Sequence, residues 1–287
     1  MSHARMLRDR IEAGQTVWMA GAYDVLSARL VADAGFDAVF TTGFGVSASL
    51  LGEPDVELYT MTENVGVVRA IGDVIDMPLV ADADTGYGNV VNIVRTVRAF
   101  EKAGAAAMIF EDQVVPKRCP VVAGALEILP IDEATAKIRA AVDARRDPDT
   151  IIVARTDAET MDECIRRGQA YAEAGADLIQ PISRCVKSKA DLVALRQAVG
   201  KPLSLQILGW LEDELSPEEI AEVAGFATFP LVPLMTATQA LVDNLSVLAR
   251  DHSTRNLPRA RTQPQVFKSL IGYSRIEELQ DKYIRAR

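Results

Sequence analysis

The chain has 287 residues, 49% of them hydrophobic and 25% charged, with a formal net charge of −9. That balance suits a soluble globular protein with one large core and excludes a broadly basic nucleic-acid surface; no Lys/Arg run supplies a local one. No stretch approaches the roughly 18 apolar residues of a membrane span, and the opening MSHARMLRDRIEAGQ has no apolar signal core. Three cysteines, Cys119, Cys164 and Cys185, do not make a disulfide framework and point to a reducing, cytoplasmic setting. The only histidines, His3 and His252, stand at opposite ends, which argues against a histidine-rich metal site or a Ser-His-Asp triad.

In chain order, the first short apolar run is VWMA (17–20), followed by an amphipathic helix over 25–35 and a second run, AVFTT (38–42). PLVADA (78–83) comes next, then a helix over 91–104, AMIFED (107–112), a helix over 132–146, TIIVART (150–156) and a helix over 161–175. DLIQPI (177–182), PLSLQIL (202–208) and ATFPLV (227–232) complete the set. Continuous apolar runs, rather than alternating ones, suit parallel strands covered on both faces. Three of the helices stop at Ala-Gly, at residues 34, 103 and 174, where glycine takes the left-handed position easily. Eight strands alternating with helices, without a Gly-x-Gly-x-x-Gly turn, predict an α/β protein of (β/α)8 TIM-barrel type. The barrel is expected over residues 1–252. The polar, proline-interrupted segment 253–287 is expected to form one or two helices that pack on the barrel or on a neighbouring subunit.

Barrel enzymes place their chemistry at the C-terminal ends of the strands. Here those ends carry Thr41, Thr42 and Gly43; Asp82 and Asp84; Glu111 and Asp112; and Arg155, Thr156 and Asp157. Asp82, Asp84 and Glu111 suit a hard divalent cation, Mg2+ with Mn2+ as the alternative. On an extended segment Asp-x-Asp sends both carboxylates to one side, and Gly86 and Gly88 then permit a tight turn. The competing reading is helix capping or pairing with surface cations. Lys117, Arg118 and Cys119 follow the fourth strand, and neighbouring cations favour a reactive thiolate over an ordinary loop cysteine. Cys164 reads as a packed helix residue and Cys185 as a weaker site candidate. Arg155 can clamp a carboxylate or pair with Asp157 or Glu159.

The segments GAYDVLSARLVADAGFDAVFTTGFGVSASLLGEPD, LVADADTGYGN, AGAAAMIFEDQVVPKRC, IIVARTDA and AYAEAGADLI resemble the isocitrate lyase and phosphoenolpyruvate mutase superfamily, nearest its methylisocitrate lyase-like branch. The resemblance runs over nearly the whole chain. It implies a barrel whose eighth helix is exchanged between subunits of a dimer or tetramer. It also implies Mg2+ held by Asp84, with Asp82 and Glu111 contributing directly or through water. Asp55 then lies near metal and substrate, and Thr42, Gly43 and Phe44 bind the carboxylate end through backbone amides. Arg155 contacts the substrate, with Tyr23 and Gln206 completing the substrate-binding set. Lys117, Arg118 and Cys119 belong to a gating loop in which the thiol acts on the enolate carbon.

Three departures modify that picture. Pro120 and Val121 replace the lyases' Gly-His, Pro181 or a neighbour stands where they carry glutamate, and Gln206 and Leu208 stand where they carry asparagine and threonine. The distal pocket is therefore less polar, which disfavours tricarboxylates. The leading expectation is a Mg2+-dependent carbon–carbon lyase acting on a small substituted 2-hydroxy diacid. Alternatives are oxaloacetate decarboxylation or hydrolysis, phosphonate P–C chemistry, and a non-catalytic binding homologue.

Overall fold

The structure is a computed structural model and describes residues 1–118, 126–182 and 184–285. Its strands are β1 (Val17–Ala22), β2 (Ala38–Thr41), β3 (Leu79–Asp82), β4 (Ala107–Glu111), β5 (Ile151–Thr156), β6 (Leu178–Pro181), β7 (Leu203–Gln206) and β8 (Ala224–Phe229). Each pairs in parallel with the next, and β8 pairs with β1 to close the barrel. Closure is in register from Val17 opposite Phe226 to Ala20 opposite Phe229. The expected (β/α)8 fold is therefore the observed one.

Side-chain alternation along the strands separates two cores. Val17, Met19, Phe40, Val80, Ile109 and Val153 form one cluster, which Ala4 and Leu7 of helix His3–Glu12 join. Their neighbours Ala20, Val39, Leu79, Met108, Phe110 and Ile152 belong to a second, larger cluster shared with the surrounding helices. Both faces of each strand are thus buried, which is why the runs are continuous in sequence.

The expected helices fall at Val25–Asp33, Val90–Lys102, Ile131–Ala144 and Met161–Glu173. Gly35, Gly104 and Gly175, after three of them, have φ of 86°, 102° and 100°, as the Ala-Gly stops require. The eighth strand needs correction: it lies at Ala224–Phe229, three residues earlier than ATFPLV suggests. Pro230 has no N–H for a ladder, and helix Val232–Asp251 starts two residues later. Gly225 lies inside this strand, where its missing side chain makes room. A Cβ there would meet Leu178 Cδ2 at 2.9 Å and Pro202 Cβ at 3.0 Å.

The chain divides into two compact units, Met1–Leu234 and Met235–Arg287. The second contains most of helix Val232–Asp251, then Pro264–Leu270, Tyr273–Gln280 and a turn of π-helix at Asp281–Arg285. Among the described residues no helix is long and apolar enough to cross a membrane.

Candidate active site

Asp82 is the last residue of β3, and Asp84 follows with φ of 50°. The two carboxylates are therefore brought together by a left-handed turn, not by alternation along an extended segment as the spacing suggested. The Asp84 N–H donates to Asp82 Oδ1 at 3.1 Å, and the Gly43 N–H donates to Asp82 Oδ2 at 3.2 Å. Tyr87, itself at φ 61°, donates its hydroxyl to Asp84 Oδ2 at 2.6 Å. Asn64 Nδ2 donates to the Tyr87 oxygen at 2.8 Å and to the Asp82 carbonyl at 2.9 Å. Such backbone conformations cost on the order of 1–3 kcal/mol each and persist only where surroundings over-determine them. Here the Asn64–Tyr87–Asp84 chain does so.

Glu111 ends β4 directly opposite Arg155 of β5. Arg155 Nη1 lies 2.8 Å from Glu111 Oε2, while Nε and Nη2 hold Asp157 Oδ1 at 3.2 and 2.9 Å. The pairing with Asp157 foreseen as the bland alternative is thus present, and the guanidinium still faces the cavity. Lys117 is buried, with its Nζ 3.0 Å from Asp55 Oδ1, 3.7 Å from Glu111 Oε1 and hydrogen-bonded to Asp84. Burial pushes Glu111 up to about 8, against the pull of Arg155 and Lys117. Burial and then Asp84 push Asp82 up to about 6. Asp55 is raised by burial despite Lys117. Burial works against the charge on Lys117, but Asp84, Glu111, Asp55 and Asp82 together keep it firmly protonated.

Four buried or nearly buried carboxylates therefore face two cations. Among the described residues neither Glu111 oxygen nor Asp55 Oδ1 has a well-aligned hydrogen bond, although cations lie within ion-pair reach. That excess of underused anionic oxygen fits a divalent ion. The fit is to a cation that keeps much of its water, because no trio of Asp, Glu, His or Cys among the described residues forms a ready direct ligand set. Mg2+ has that habit, taking one or two carboxylates and retaining several waters. Asp84, Asp82 and Glu111 are the residues that would hold it, directly or through water.

A cavity of about 180 Å³ opens at this end of the barrel. Asp55, Asp82 and Arg155 line one side; Gln180 and Gln206 form a polar floor, with Gln206 Nε2 3.4 Å from Gln180 Oε1. Most of the rest is apolar, chiefly Ile182, Val186, Leu205, Leu208, Leu211 and Leu231, with Thr42 and Arg184 as the polar exceptions. A larger cleft of about 350 Å³, near Arg8, Lys201 and Glu222, touches Ile151 and Ala224, the first residues of β5 and β8. That is the end where barrels place stability rather than chemistry.

The other sequence-derived candidates are placed as follows. Thr42 and Phe44 line the cavity, and Thr42 caps helix Gly43–Leu50. A Cβ on Gly43 would meet Asp82 Oδ2 at 2.9 Å, so this glycine is what lets the helix start against the acids. Tyr23 packs behind Gly45 and does not line the cavity. The Arg118 guanidinium is exposed, 3.5 Å from Glu127, while its N–H donates to Gln113 Oε1 at 2.8 Å. Gln113 in turn donates to Asp157 at 2.9 Å, tying this segment to the Arg155 pair. Cys119 lies outside the described residues. Cys164 is buried in helix Met161–Glu173, and the buried Cys185 contacts the Ile182 carbonyl at 3.2 Å. Sequence reading missed Tyr59, Asn64, Tyr87 and Gln180. Only Gln180 carried a usable signal, its place at a strand end.

The model for phosphoenolpyruvate phosphomutase matches residues 7–244. The chain belongs to this family. It is 39% identical to 2,3-dimethylmalate lyase of Eubacterium barkeri over 293 residues, covering 100% of both proteins. It is 35% identical to oxaloacetate decarboxylase of Rhodopseudomonas palustris, covering 86% of this chain and 85% of that one. Among solved structures, phosphonopyruvate hydrolase in complex with oxalate and Mg2+ superposes with a TM-score of 0.89 at 31% identity, covering 99% of this chain and 100% of the other. The chain thus belongs to an enzyme family whose members include a lyase, a decarboxylase and a hydrolase.

Proposed function

We propose that the chain is a Mg2+-dependent carbon–carbon lyase that cleaves a small substituted 2-hydroxy diacid in retro-aldol fashion and releases a 2-keto acid. The observation that carries this reading is a cavity with Asp55, Asp82 and Arg155 on one side, backed by the ion pairs of Lys117 with Asp55 and Asp84 and of Arg155 with Glu111, and a mainly apolar remainder. A bound Mg2+ supplies charge neutralisation for the oxygen that becomes anionic as the bond breaks. Arg155 anchors the substrate carboxylate beside the start of helix Gly43–Leu50. Asp55, held by Lys117, accepts the 2-hydroxyl proton, and Lys117 steadies the resulting negative charge. The C2–C3 electron pair then leaves with the other fragment as an enolate. Cys119 donates the proton that quenches it. Leucines and Ile182 accept the substituent, and among the described residues Arg184, already paired with Glu159 at 2.8 Å, is the one cation lining that side. That arrangement supports a diacid over a tricarboxylate.

Oxaloacetate decarboxylation is the second reading, supported by the relative of that name. The test is product analysis with Mg2+ present and then removed by a chelator. Release of a keto acid and a second carboxylic acid, abolished by chelation, is the expected result; CO2 or phosphate as the product would replace the reading.

The second unit supports a homo-oligomer, a dimer or tetramer. Helix Val232–Asp251 buries none of its residues, and Leu241, Val242 and Leu245 are all more than half exposed. Val266, Tyr273 and Tyr283 are exposed in the same unit. Apolar faces of this kind are normally covered, here by a second copy of the chain. Light scattering should give a multiple of the chain mass, reduced by Leu245→Glu.

A further inference from the structure

Tyr59 precedes helix Met61–Gly72 and is 1% exposed, yet its hydroxyl has no hydrogen-bond partner among the described residues. Its place is defined by Gly43: a Cβ there would lie 2.8 Å from the Tyr59 oxygen and 2.9 Å from Asp82 Oδ2. Asp84, Asp82 and Asp55 all lie near enough to act on the phenol. Tyr87 shows what a committed phenol does here, donating to Asp84 Oδ2 at 2.6 Å and accepting from Asn64 at 2.8 Å. Two tyrosines thus face one acid cluster. One commits its proton to Asp84 Oδ2; the other is buried near enough to the Asp84 carboxylate to feel it but without a well-aligned acceptor, which costs stability unless a partner arrives.

Resting on the reading of Asp82 and Asp84 as the cation site, we propose that Tyr59 is a positioning residue for that site, its hydroxyl donating to a water of the cation's hydration shell. The group is dispensable to the fold and is satisfied only when the cation is bound. Phenylalanine would fill the same space and leave Asp82 and Asp84 in place.

The test is calorimetric titration of Mg2+ alone into metal-free native protein and Tyr59→Phe, with thermal melts of both metal-free forms. Outer-shell partners of metal sites are typically worth about 10–100-fold in metal affinity. The expected result is a loss of that size in Tyr59→Phe, with an equal or higher metal-free Tm. Equal Mg2+ affinity in the two proteins would overturn the inference. A lower metal-free Tm in the variant would also overturn it, by showing that the hydroxyl serves the fold. Native protein that binds no Mg2+ would sink the cation site itself, and the inference with it.

Discussion

Strands β3 and β4 end in Asp82 and Glu111, β5 carries Arg155 next to its last residue, and Asp84 and Lys117 follow close behind; Lys117 pairs with Asp84 and Glu111, and Arg155 with Glu111. On the other side of the same mouth, β6 and β7 run out into Ile182 and Leu208, and Leu211 and Leu231 complete the wall. The first region is a network in which each charge is tolerated only because the others are present. The second is a set of side chains that can change one at a time at modest cost. Under the proposed function the difference is a division of labour: the charged side would carry bond cleavage, and the apolar side would set which substituent is accepted.

Asp84→Asn strikes the charged side hardest, since Lys117, Tyr87 and the Asp82 turn all converge on that carboxylate. Steady-state kinetics should show kcat down by about 10²–10³-fold, the scale of losing one preorganised electrostatic group. Calorimetry should show Mg2+ binding lost as well. A fall of less than tenfold would break the comparison.

Arg155→Lys keeps the charge but loses the fork that spans Glu111 and Asp157. It should lower kcat/KM by about 100-fold, because lysine cannot reproduce planar two-point recognition. The free protein should melt close to native if the residue serves the ligand more than the fold.

Leu208→Asp places an unpaired charge on the apolar side. It should lower kcat/KM for alkyl-substituted diacids by about 10–100-fold, from the cost of leaving a polar group without a partner. Mg2+ affinity should not move. A matching loss of metal binding would show that the two sides are not separable. Gln206→Leu is expected to be mildest, less than about tenfold, because its one contact on the floor is a long 3.4 Å approach to Gln180.

The architecture was legible because a parallel barrel writes itself in continuous apolar runs and Ala-Gly stops. The charged residues were legible because barrel chemistry sits at strand ends. What the sequence hid depends on tertiary context. Asp84 and Tyr87 take positive φ without being glycine, a choice made by the Asn64 and Tyr87 hydrogen bonds and not by local preference. Tyr59 and Asn64 come from the segment before β3, where nothing in spacing marks them. Arg118 sits beside Lys117 in sequence but turns outward to Glu127 while Lys117 goes inward. The start of β8 was obscured because Gly225 serves close packing rather than a turn.

The division of labour is tested most directly by comparing kcat/KM, with Mg2+ present and keto-acid release as the readout, for two 2-methylmalates. One carries a short alkyl group at C3 and the other a carboxymethyl group at the same carbon. The account predicts that the alkyl diacid is cleaved better by on the order of 100-fold, since Arg184 on the mainly apolar side is already engaged by Glu159. Equal or better cleavage of the tricarboxylate would contradict it.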